Sequence, residues 1–119
     1  MFKYCKKLEY PINITKKDLA MAKYIITALG GSAGELAAAT RYFVQSFSMP
    51  DERGKALLVD IATEELAHVE MISTMFKQLI KDATPEELIN PLLFLRQREV
   101  IHYNRFKKLY EEYKEKYNI

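Results

Sequence analysis

Two short phrases carry the reactive side chains of this sequence: Glu65-Leu66-Ala67-His68 and Glu99-Val100-Ile101-His102. Each sets a carboxylate and an imidazole three residues apart, and on a helix that spacing points both from one face. They hold the only two histidines of the chain. The period-3/4 stripe around the first reads Leu58, Ile61, Glu65, His68, Ile72, Met75, Leu79. Around the second it reads Leu92, Leu95, Glu99, His102, Phe106, Leu109, Tyr113. Both stripes are apolar except at the Glu and His, and ionisable groups buried there without partners would be strongly destabilising. Something must satisfy them, and a metal pair is the leading candidate. Glu35, on the face Met21, Ile25, Ala28, Glu35, Tyr42, offers a third carboxylate.

One carboxylate can bridge two cations while each imidazole binds one of them. Carboxylate-rich ligation with one His per metal and no thiolate suits manganese or iron better than zinc or copper. The set makes up most of the dinuclear site of four-helix bundles, where two helices give Glu and two give Glu-x-x-His. Bland readings stand beside it. A single Glu-x-x-His is more commonly a surface ion pair, and Glu35 is a surface residue if its neighbouring glycines form a turn. Tyr42 either hydrogen-bonds Glu35 or is ordinary core. Asp60 and Glu64 either accept a hydrogen bond from a ligand His or are solvated, and solvated is the preferred reading.

The elements that must position these groups are helices. Half of the 119 residues are apolar and only eight are Gly or Pro, which suits one helical domain over residues 1–119. The net charge of +2, from interspersed charges, gives no case for nucleic acid. Nothing approaches the run of about 18 apolar residues that crosses a membrane, and the basic start lacks the apolar stretch of a signal peptide. The lone Cys5 excludes an intrachain disulfide framework and fits a reducing compartment, so the cytoplasm is the expected location.

Residues 1–14 alternate toward their end (Leu8, Tyr10, Ile12, Ile14) and read as an extended arm on the bundle or on a neighbouring subunit. Thr15 is expected to cap a first helix running from Lys16 to about Phe47. Its centre, Gly30-Gly31-Ser32-Ala33-Gly34, predicts either a kink that leaves room for a cofactor beside Glu35 or a turn between two shorter helices. Pro50-Asp51 starts a second helix ending near Lys81, whose second stripe of Val59, Ala62, Leu66, Val69, Phe76 and Ile80 requires more than one packing neighbour. Thr84-Pro85-Glu86-Glu87 predicts a one-turn helix, followed by a bend and a long helix from Pro91 to about Tyr117.

Gly34-Glu35-Leu36-Ala37-Ala38-Ala39-Thr40-Arg41-Tyr42, the stretch Asp60 to Ile72 around Glu64-Glu65-Leu66-Ala67-His68, and Phe94-Leu95-Arg96-Gln97-Arg98-Glu99-Val100-Ile101-His102 resemble manganese catalases. The closest likeness is to their short, spore-coat-associated branch. The resemblance implies an all-α, ferritin-like bundle holding two manganese ions, a homo-oligomer that disproportionates hydrogen peroxide to water and oxygen. Carried over residue by residue, Glu35 and His68 would be terminal ligands of one manganese, Glu65 the bridge, and His102 a ligand of the second. Glu99 would be the acid/base near the peroxide and Tyr42 an outer hydrogen-bond donor.

The chain departs from the family pattern in one place. The segment after the second helix runs almost directly into the last helix, so the third bundle helix and its glutamate ligand are missing. Three long helices leave apolar faces uncovered, which predicts completion into a four-helix arrangement by a partner chain, with exchange of the C-terminal helix as one route. The second metal would be completed by Glu99, by a partner's glutamate, or not at all. Two other readings are a ferritin-like protein with two iron ions acting as oxidase or peroxidase, and a truncated, non-catalytic coat or assembly protein.

Overall fold

An arm without helix, residues 1–18, leads into α1 (Leu19–Gly30), α2 (Glu35–Ser46), α3 (Glu52–Lys81) and α4 (Glu86–Tyr117). The computed structural model describes residues 1–81 and 86–118, and the side chains of all of these but 81, 86–89 and 92. Among them no helix is long and apolar enough to cross a membrane. The expected Thr84-Pro85 helix start lies outside the described residues.

The first helical run is divided, so the turn reading of its glycines holds and the continuous Lys16–Phe47 helix does not. A Cβ on Gly31 would stand 2.6 Å from the Thr27 carbonyl oxygen, and one on Gly34 would stand 2.9 Å from that of Ala28. The chain thus folds back against the end of α1 as closely as only glycine permits. This makes Glu35 the first residue of α2. Thr15 is not the cap. Asp18 Oδ1 accepts from the Met21 N–H at 3.0 Å, while the Asp18 N–H donates to the Leu79 carbonyl at 2.8 Å, so a tertiary bond fixes a later start.

Asp51, expected at the start of this helix, lies one residue before α3 and caps it, accepting from the Gly54 N–H at 2.9 Å. The α3 stripe is buried along its length, from Leu58 at 4 % exposure to Leu79 at 0 %. The bend expected before Pro91 is absent. Helix α4 is continuous through Pro91, which lies in its second turn, where a missing N–H forfeits a single backbone bond.

The core joins Ile12 and Ile14 of the arm, Ala22 and Ile25 of α1, Met71, Ile72, Met75 and Leu79 of α3, and Leu95 of α4. The Gln78 side chain holds the arm by accepting from the Ile14 N–H at 2.7 Å and donating to the Ile12 carbonyl at 3.3 Å. Further back, the Phe2 N–H donates to Asp60 at 2.6 Å and the Tyr4 hydroxyl donates to Glu70 at 2.8 Å. The arm therefore runs along α3 and carries Glu9 past the middle of that helix.

Candidate metal centre

Glu65 lies between the two histidines. Its Oε2 is 3.0 Å from Nδ1 of His68 one turn away on α3, and its Oε1 is 3.0 Å from Nδ1 of His102 on α4. The imidazoles stack with centroids 6.0 Å apart. Glu35 Oε2 approaches His68 Nδ1 at 3.8 Å, and Glu99 Oε1 approaches His102 Nδ1 at 3.9 Å. Glu35, Glu65, His68 and Glu99 each offer a ligand atom within 4.8 Å of the others. His102 stands just beside that set, tied to it through Glu65.

Burial divides the group. Glu65, His68 and His102 are 1 %, 0 % and 2 % exposed. The Glu35 side chain is 15 % exposed even though a turn precedes it, so the turn does not make it a surface residue. Glu99 corrects the stripe reading, because half of its side chain is exposed. Tyr42 does not make the hydrogen bond to Glu35. Its ring packs on Phe106 of α4 with centroids 5.2 Å apart, which walls the site on that side.

The electrostatics are those of acids crowded around two imidazoles that hold their protons. Burial and then the neighbouring Glu65 push Glu35 up to about 8, against the pull of His68. Burial also raises Glu99. Glu65 is held below the usual carboxylate range, since His102 and His68 outweigh its burial. His102 rises to about 9, because Glu64 and Glu65 overcome a burial that favours the neutral ring. A divalent cation among these oxygens would relieve the crowding, and the donor set is of the kind that holds manganese or iron.

Three residues at the centre, Glu64, Arg98 and Glu9, were not legible as such. Glu64, read as solvated, is 0 % exposed. It lies 3.1 Å from Nε2 of His102 and 3.4 Å from Nε2 of His68. The Arg98 guanidinium grips it with both Nε and Nη2. Glu9, from the arm, brings Oε2 to 3.0 Å from His68 Nε2, yet the two buried atoms are too poorly directed for a hydrogen bond. Asp60 is engaged as well, pairing with Arg105 at 2.6 Å. Arg98 follows Leu95 by three residues and precedes Glu99, so periodicity alone places it at the stripe's margin. The signal that could have found the pair is the run Glu64-Glu65, where one turn of α3 aims neighbouring carboxylates at opposite sides of the same imidazoles.

Comparison with known proteins places the chain among relatives. Residues 1–91 match the family model described as manganese containing catalase. That stretch contains Glu35, Glu65 and His68 and stops before Glu99 and His102. Protein CotJC of Bacillus subtilis is 52 % identical over 88 residues, covering 74 % of this chain and 46 % of that protein. The manganese catalase of Lactiplantibacillus plantarum is 44 % identical over 91 residues, covering 74 % of this chain and 34 % of the enzyme. The crystal structure of KatB, a manganese catalase from Anabaena, superposes with a TM-score of 0.62 at 36 % identity, over 68 % of this chain and 37 % of KatB. The chain thus spans less than half the length of these relatives. The matched family model covers most of the chain, the superposition supports the all-α ferritin-like bundle, and the likeness to CotJC agrees with the short branch, so this chain belongs to the manganese catalase family.

Proposed function

We propose that this chain holds a dinuclear manganese centre and disproportionates hydrogen peroxide to water and oxygen. The observation that carries the reading is the reach of Glu65, one carboxylate oxygen toward an imidazole on each of two helices. Glu35 and His68 would hold one ion, His102 the other, and Glu65 both. Manganese, when bound, supplies the redox change, so no external reductant is needed. Glu99, half exposed beside His102, is suited either to complete the second position or to take and return the substrate's proton.

A second copy completes the arrangement in this reading. Leu93, Val100, Ile101 and Tyr103 of α4 are 40–64 % exposed and flank Glu99. Apolar side chains so close to a half-open metal position are better covered than wet, and the covering chain can supply the missing carboxylate. The site of action is the cytoplasm or a spore coat. The absent carboxylate favours one other reading, a coat or assembly component that retains the site without turnover. Protein produced with manganese and tested for oxygen release from peroxide separates the two: release supports catalysis, and its absence in fully loaded protein supports assembly. Iron-grown protein with greater activity would indicate a di-iron oxidase or peroxidase.

A further inference from the structure

Both ring nitrogens of His102 meet carboxylates: Nδ1 faces Glu65 at 3.0 Å and Nε2 faces Glu64 at 3.1 Å. Nε2 of His68 lies 3.4 Å from Glu64 and makes no hydrogen bond. A metal ligand nitrogen must be bare, so a ring that binds through Nδ1 carries its proton on Nε2 and needs an acceptor there. Glu64 has no exposed surface with which to find another partner. Its remaining lone pairs are taken by the guanidinium of Arg98, one helix away on α4.

Glu9, Glu64 and His68 also offer ligand atoms within 4.8 Å of one another. Arg98 decides against a cation there, since it grips Glu64 and lies 3.9 Å from Glu9. A fixed positive charge at that face leaves the cluster the role of acceptor. Glu9 Oε2, 3.0 Å from His68 Nε2, is not directed for a hydrogen bond, so the acceptor that the cluster offers is Glu64, and the ring it serves is that of His102.

We infer that Glu64, clamped by Arg98, is a positioning residue that accepts the Nε2 proton of His102 and so turns Nδ1 of that ring, on the Glu65 side, toward an ion when one is bound. This rests on the proposed metal centre. Glu64→Leu tests it, because it removes every acceptor from Nε2 of His102 at similar side-chain volume. Without an acceptor there the ring is free to carry its proton on Nδ1, which blocks the ligand atom.

The chain has two histidines, so long-range 1H–15N correlation spectra of 15N-histidine protein contain two ring systems to read. In full-length wild-type protein loaded with Zn(II) as a diamagnetic stand-in, the His102 ring is expected as Nε2–H. In E64L that ring is expected to shift toward Nδ1–H, and manganese affinity, followed by the EPR signal of free Mn(II), should fall about 10- to 100-fold. Arg98→Lys keeps the charge but loses the fork, and should give a smaller fall with the same tautomer tendency. Should E64L not fold, the wild-type spectrum still decides, because an Nδ1–H His102 ring in the loaded protein overturns the inference. A wild type that binds manganese together with a folded E64L of unchanged affinity and unchanged His102 tautomer overturns this inference alone. A wild type that binds no manganese overturns the metal centre as well.

Discussion

Nδ1 of His102 and Oε1 of Glu65 stand 3.0 Å apart across the α3–α4 interface, both almost without exposure. With the Arg98–Glu64 clamp beside it, this contact attaches the last helix to the centre of the fold. Glu65→Ala should therefore act twice. It should abolish manganese binding, and it should destabilise the fold by about 3–5 kcal/mol, the usual result of removing one partner of a buried pair. Metal analysis and urea denaturation of the variant measure the two effects separately. Unchanged manganese occupancy would show that Glu65 is not the shared ligand.

Metal uptake should depend steeply on pH. Glu35, raised to about 8, and His102, raised to about 9, both hold protons near neutrality in the metal-free protein. Binding must expel those protons, so affinity for manganese should rise at least about tenfold per pH unit between pH 7 and 9. The stability of the metal-free fold moves the opposite way. The folded-state value of His102 lies above the ordinary imidazole value, so its contribution is full below about 6.5 and is lost as pH rises through about 9. Titrations at pH 7, 8 and 9 with proton release recorded check the first point, and thermal melts of metal-free protein check the second. Affinity independent of pH would contradict the arrangement of charges.

At the far end of α4, Gly54 leaves room for Tyr113. The Tyr113 hydroxyl donates to Asp51, which also receives Lys116 Nζ and the Tyr117 hydroxyl at 3.0 Å each. A Cβ on Gly54 would stand 2.1 Å from the Tyr113 oxygen. Gly→Ala within a helix ordinarily stabilises by about 1 kcal/mol. Gly54→Ala should instead destabilise by about 1–3 kcal/mol, and adding Tyr113→Phe should recover part of that loss in urea denaturation. Tyr113, Gly54 and Lys116 hold the Asp51 carboxyl below its usual range, so the clasp is full above that range and is lost as pH falls. Amide exchange in the last turn of α4 should accordingly quicken below about pH 4.

The arm should detach when Gln78 is cut back. Gln78→Ala removes both backbone bonds that hold Ile12 and Ile14, a loss of about 1–3 kcal/mol for the buried groups left unpaired. Hydrogen exchange at Ile14 should rise while exchange in the middle of α3 stays slow. Because Glu9 travels with the arm, the same variant should change the environment of His68 before that of His102, which the histidine spectra read directly.

Much of this was legible in the sequence, for physical reasons. The α3 stripe was readable because period and burial coincide over its whole length, and Glu65/His68 were visible as its only ionisable members. The two long helices, the Asp51 start and the extended arm followed from turn chemistry and alternation. What escaped depends on contacts distant in sequence. Asp18 displaced Thr15 as the cap because of a bond to Leu79, sixty-one positions on. Glu64 looked solvated because its partner Arg98 sits thirty-four positions away. Glu9 lies in an arm with no periodicity to aim it. Glu99 looked buried because a stripe records which face a residue occupies and not whether a neighbour covers that face.

Manganese per chain, measured together with solution mass, tests the account most directly. The account predicts an assembly heavier than the 13.9 kDa chain that carries two manganese ions per chain and loses them on Glu65→Ala. A stable monomer with less than one ion per chain after growth in manganese would contradict it.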